Sequence, residues 1–116
     1  MKFHRQVYYY KGHFKDFYNK QDPAVRKKID WVIGLVQELE IIPSKFFRHI
    51  EGTEGIFEIR VMIRRNIFRI FCFFDEDQLI ILLHGFQKKT QKTPKKEIAV
   101  AEARKKDHLL RGSRYE

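Results

Sequence analysis

Five lysines stand in the segment Lys88-Lys89-Thr90-Gln91-Lys92-Thr93-Pro94-Lys95-Lys96, between an apolar run and a helix-forming stretch. A strand exit leading into a helix N-terminus offers free backbone N–H groups to an anion, and ammonium groups around it strengthen that attraction. The segment reads as a candidate phosphate-binding surface, and by extension an RNA or DNA surface. Lys88, Lys89, Lys92, Thr93 and Lys95 are its candidate binding residues. Upstream, Arg60, Arg69 and His84 sit within three β-favouring runs and supply the remaining chemistry. Guanidinium forks match phosphate oxygens and keep their charge. Around a scissile phosphodiester they stabilise the charge that builds on its oxygens. Histidine titrates near neutrality, so His84 is the side chain there able to move a proton. Nearby arginines disfavour its cationic form. No carboxylate cluster has metal-ligand spacing. Cleavage at such a site would therefore proceed without metal or cofactor and use the RNA 2′-OH as nucleophile.

Three runs must carry these side chains as strands: about Ile56 to Arg64, Ile67 to Phe74 and Leu79 to Phe86. Arg65-Asn66 and Asp75 to Gln78 are hairpin-length connections, which makes the three an antiparallel meander. With Arg65-Asn66 as a two-residue loop, Arg64 faces Ile67, Ile63 faces Phe68 and Val61 faces Ile70. Phe57, Ile59, Val61 and Ile63 then share an apolar face with Phe68, Ile70, Cys72 and Phe74. An even-length second turn sets Phe74 opposite Leu79, adds Leu79, Ile81 and Leu83 to that core face, and sets His84 opposite Arg69. The other face carries Glu58, Arg60, Arg69 and His84 among Met62, Phe71 and Phe73, so part of it must be covered by the C-terminal helix or by a partner.

The rest of the chain frames this sheet. Met1 to Tyr10 forms a possible first strand, and a short helix over roughly Gly12 to Lys20 turns Phe14, Phe17 and Tyr18 inward. Asp22 is an N-cap with Pro23 at the first helical position. Val25, Ile29, Val32, Ile33, Val36 and Leu39 then recur at helical spacing to about Glu40. Pro43 to Ile50 reads as a turn or short 3₁₀ segment, and Glu51 to Gly55 as a loop. Thr93-Pro94 opens the last helix and Gly112 closes it. The expected fold is α+β: an N-terminal helical hairpin packed on a twisted antiparallel sheet, with a C-terminal helix, residues 1–116 forming one domain.

Composition narrows the partners. Lys and Arg number 24 against 15 Asp and Glu, a formal charge of +9, which favours a polyanionic partner, either nucleic acid or an acidic protein. Aromatic residues at 15% weigh against disorder. The single Cys72 excludes an internal disulfide and zinc-ligand spacing. No apolar run approaches the length of a membrane span and the N-terminus lacks a signal-peptide core, so a cytoplasmic protein is expected. The residues also leave plainer readings open. Arg60 can pair with Glu58 or Glu97 as a structural ion pair, His84 can be a core histidine, and the lysine segment can be a solvated basic loop.

Gly55-Ile56-Phe57-Glu58-Ile59-Arg60, Phe68-Arg69-Ile70-Phe71 and Leu82-Leu83-His84-Gly85-Phe86-Gln87-Lys88-Lys89-Thr90-Gln91-Lys92-Thr93-Pro94 resemble the HigB-like branch of the RelE/ParE toxin superfamily. The resemblance runs from the helical hairpin to the last helix, and Gly85 to Pro94 is its most specific piece. It implies a RelE-like fold and a small basic cytoplasmic toxin of a type II toxin–antitoxin system. Its antitoxin would be encoded alongside, often with a helix-turn-helix domain. The implied activity is that of an mRNA interferase, a metal-independent endonuclease that cuts mRNA on the ribosome and inhibits translation. The resemblance backs Arg60, Arg69 and the lysines from 88 to 92, and does not assign the general base. Some relatives poison DNA gyrase instead, and a non-catalytic homologue that only holds nucleic acid or antitoxin is a third reading. Nothing implies a homo-oligomer.

Overall fold

The computed structural model of this protein describes residues 4–89 and 94–111. Five strands form one sheet: β1 (Gln6–Tyr9), β2 (Phe47–His49), β3 (Phe57–Ile63), β4 (Asn66–Glu76) and β5 (Leu79–Gln87), in the order β1-β5-β4-β3-β2. β3, β4 and β5 form the expected antiparallel meander, β2 pairs antiparallel with β3, and β1 lies parallel to β5. Helices α1 (His13–Asn19) and α2 (Pro23–Glu38) cover one face, and α3 (Lys95–Arg111) covers part of the other.

The α2 boundaries follow from the signals at its ends. The Asp22 carboxylate accepts a hydrogen bond from the Val25 N–H at 2.9 Å, with Pro23 pre-set in the first turn. At the far end the Arg5 guanidinium donates to the Val36, Leu39 and Glu40 carbonyls, supplying the positive charge that a helix C-terminus lacks. Val25, Ile29, Val32 and Val36 form a stripe that packs with Phe14 and Phe17 on Ile59, Val61, Phe68, Ile70, Cys72, Ile80 and Leu82. Burial pushes the Cys72 thiol pKa up, so it is an inert core side chain. A second core lies beneath α3 and joins Tyr10, Ile56, Phe71, Phe73, Ile81, Leu83 and Ala101.

The structure corrects four details of the expected sheet. Phe47–His49 is a strand, inside the segment read as a turn or 3₁₀; it pairs with β3, and the Arg60 N–H donates to the Phe46 carbonyl just beyond it. The β3–β4 loop is Arg64-Arg65, with Ile63 opposite Asn66 and Arg64 at φ 56. That register differs from the expected one by two residues, so every side chain keeps its face and Arg60 comes directly opposite Arg69. The β4–β5 pairing contains two irregularities, with Asp75 extra on β4 and Leu83 extra on β5. Between them parity is reversed, so Ile80 and Leu82 face the helical hairpin while Leu79, Ile81 and Leu83 face α3. The second irregularity returns His84 to the α3 face, opposite Phe71 rather than Arg69.

Gly85 is required by close approach. A Cβ there would lie 2.4 Å from Phe17 Cδ2, and Phe17 is a buried ring with little room to retreat. Gly85→Ala is therefore expected to cost about 1–3 kcal/mol, as overpacking does. A lowered urea midpoint with an unchanged transition slope would show it.

Candidate functional site

Glu58, Arg60 and Arg69 meet because of strand period and register. Glu58 and Arg60 are two residues apart on β3 and so share a face, and Arg69 of β4 stands opposite Arg60. From β2, Arg48 pairs directly with Glu58. Glu58 is 2% exposed, yet three guanidiniums surround its carboxylate. Oε1 lies 3.3 Å from Arg69 Nη2, while Oε2 lies 3.3 Å from Arg60 Nε and 3.9 Å from Arg48 Nε. Arg69 is itself 4% exposed, so it is a buried half of an ion pair. The side chain of Arg60 retains 15% exposure and that of Arg48 retains 47%.

Lys88 joins this group beyond the last residue of β5. Its N–H donates to the Ile67 carbonyl at 2.8 Å, which continues the β4–β5 ladder and holds Lys88 beside the arginines. Burial, then Arg69 and Arg60, lower its pKa below the ordinary lysine value, with Glu58 opposing. Burial also lowers that of Arg69, again opposed by Glu58. Arg48, Arg60 and Arg69 thus gather about one carboxylate, and with Lys88 within electrostatic reach they leave an excess of positive charge at this end of the sheet.

His84 stands apart from that cluster. Along β5 the residues facing α3 are His84, Phe86 and then Lys88, and Phe86 is the residue opposite Arg69. The imidazole contacts the rings of Phe71 and Phe86, and its Nε2 lies 3.0 Å from Glu97 Oε1 of α3. Burial lowers its pKa, followed by the positive charge of Arg104, while Glu97 opposes. His13 of α1 is lowered by the same two causes in the same order. A histidine held below its unfolded value stays neutral while the unfolded chain takes up a proton. Stability should accordingly fall as pH drops below about 6.5, the unperturbed histidine value. Urea titrations between neutral and mildly acidic pH should show this slope, reduced in His84→Asn.

Of the residues singled out from sequence, Arg60, Arg69 and Lys88 come together, and His84 shares their face but not their contacts. Lys89 is exposed just past Lys88, and Lys95 is exposed in the first turn of α3. Lys92, Thr93 and Gly112 lie outside the described residues. Glu58 was expected as an ion-pair partner of Arg60 but not as the centre of a cluster, and Arg48 was not singled out. Glu58 could be found from its position two residues before Arg60, whereas Arg48 carried no signal because β2 was not anticipated. Among the described residues no group of three or more His, Cys, Asp or Glu is placed to hold a metal ion, and no helix is long and apolar enough to cross a membrane.

A five-stranded sheet with a helical hairpin on one face and a terminal helix on the other is an α+β architecture of the RelE-like kind. Residues 16–106 match the family described as phage-derived protein Gp49-like (DUF891). The chain belongs to this family, which is toxin-like, and membership implies an antitoxin partner. No curated protein matches the chain.

Proposed function

We propose that this chain is the toxin of a type II toxin–antitoxin pair, of the HigB-like kind, and that it cleaves mRNA on the ribosome without a metal. The observation that carries the reading is the cationic excess at Arg48, Arg60, Arg69 and Lys88, on the face from which the lysine segment departs. In the proposed reaction the RNA 2′-oxygen bonds to the adjacent phosphorus and the bond to the 5′-oxygen breaks, leaving a 2′,3′-cyclic phosphate and a 5′-hydroxyl. Arg60, the more exposed guanidinium facing Arg69, binds the phosphate oxygens as their charge grows. Buried Arg69 adds its field from behind and fixes the carboxylate that orients Arg60. We assign proton transfer to Lys88 before His84, because Lys88 lies in the cluster with a lowered pKa whereas His84 is turned to Glu97. Lys89, Lys92, Thr93 and Lys95 hold the flanking phosphates, and the antitoxin is read as a helix-turn-helix protein.

Primer extension on mRNA from induced cells tests the reading: cuts should appear with the native chain and disappear with Arg60→Ala. Unchanged cuts in that variant would remove the cluster from the mechanism. Loss in Lys88→Ala with retention in His84→Ala would assign the proton to Lys88; the opposite pattern would assign it to His84.

A further inference from the structure

The parallel pairing of β1 covers β5 only from Leu79 to Leu82, and after Tyr10 the chain turns away at Lys11, which has φ 52. The rest of the β5 edge is therefore not paired by β1. Helix α1 reaches it from one side and α3 from the other, and the gap between them is a pocket of about 300 Å³. Its floor is Gly85 against Phe17, and its polar lining is His13, Asp16, Lys20, His84 and Arg104. None of these is a member of the arginine cluster, and Phe86 lies between His84 and Lys88 along the strand.

The geometry points to a second anion site here, one that takes a phosphate monoester or free phosphate between Arg104, Lys20, His13 and His84. Two permanent cations face one carboxylate, so the pocket is cationic before either histidine titrates. Beside them His84 presents an unusual group: Nε2 is fixed on Glu97, while Nδ1 is buried with no hydrogen-bond partner among the described residues. A buried polar atom left unmatched is costly, and a ligand that supplies its partner recovers that cost. With Nε2–H donating to Glu97, Nδ1 is an acceptor. A phosphate can meet it in two ways: a monoanion donates its own O–H, or a dianion draws a proton onto Nδ1 and accepts from it. Both place one proton between ring and ligand. A phosphate monoester has its second pKa near 6 and titrates in the histidine range, so it fits this requirement better than a carboxylate or chloride. The groups facing the two rings are Glu97 and Arg104 from α3, Lys11 before α1, Asp16 within it, and Tyr10 stacked on His13. The site is independent of whether the chain cuts RNA.

Histidine ring resonances followed by NMR during titration with inorganic phosphate, against chloride at equal ionic strength, test it. Phosphate should shift His13 and His84 and raise their pKa values by about one unit, as a nearby opposite charge does. Arg104→Ala and the exposed Lys20→Ala should each weaken binding about tenfold, the usual effect of losing one charge-assisted hydrogen bond. Arg60→Ala should leave it unchanged. Far-UV circular dichroism checks that each variant is folded. Tighter binding of a 5′-phosphorylated dinucleotide than of inorganic phosphate would assign the pocket to an RNA end; equal binding would assign it to the free ion. No ring shift with phosphate, an equal shift with chloride, or a shift that survives in both Arg104→Ala and Lys20→Ala would overturn the site.

Discussion

Replacing Glu58 by Gln is expected to unfold the protein more readily than any other single change in the cluster. The substitution keeps shape and removes charge, leaving the buried Arg69 without its carboxylate 3.3 Å away. Breaking a buried pair by removing one partner costs about 3–5 kcal/mol, because the surviving charge loses that counter-ion without regaining its full hydration. A domain of this size is stabilised by only about 5–15 kcal/mol in total. Arg60 and Arg48 add less to this, since solvent screens the more exposed pairs. A stability of Glu58→Gln within about 1 kcal/mol of the native chain would show that Arg69 is satisfied without it. The double replacement Glu58→Leu with Arg69→Met supplies the converse arm. Apolar side chains of similar volume should recover most of the lost stability while leaving the chain unable to cut RNA.

Arg60→Ala should produce the largest loss of activity for the smallest loss of stability. Glu58 keeps Arg69 and Arg48 when Arg60 is removed, so no buried charge is stranded. Removing one preorganised donor from a developing oxyanion lowers rates by about 10²–10³. Cuts in mRNA should fall by that factor while the unfolding midpoint stays close to native. Arg69→Ala cannot make this distinction, because it empties a buried position and takes the guanidinium from Glu58 Oε1, which confounds folding with chemistry. A folded Arg60→Ala variant that cuts within a few-fold of native would place the active surface elsewhere. Double-strand DNA damage with intact mRNA on induction would instead support a gyrase-directed toxin.

The helical hairpin was legible because its signals are local: Asp22-Pro23 at one end and an apolar stripe repeating at helical spacing. The faces of β3 and β4 were legible although their register was not, since a shift of two residues preserves parity. Strand β5 differs because both of its faces are covered. Leu79 to Leu83 are all apolar, so the sequence carries no alternation by which to detect an extra residue. His84 was assigned to the correct face only because the reversed parity between Asp75 and Leu83 is restored before His84. Strand β2, three residues long between Pro43 and Gly52, is too short to show a period. The ion pair of Arg60 with Glu58 was among the plainer readings, but the convergence of Arg69 and Arg48 on the same carboxylate depends on pairing across three strands.

Gln6 lies against Leu79, so the outermost strand waits for a partner made more than seventy residues further along the chain. Arg48, Arg60, Arg69 and Lys88 are likewise spread over residues 48–88, about a third of the chain. Contacts so distant along the backbone form late and slowly. During synthesis, with residues added from the N-terminus, the cationic cluster cannot exist on a nascent chain until the segment carrying Lys88 has left the exit tunnel. Whatever this surface grips, the nascent polypeptide is in no position to grip it before that point.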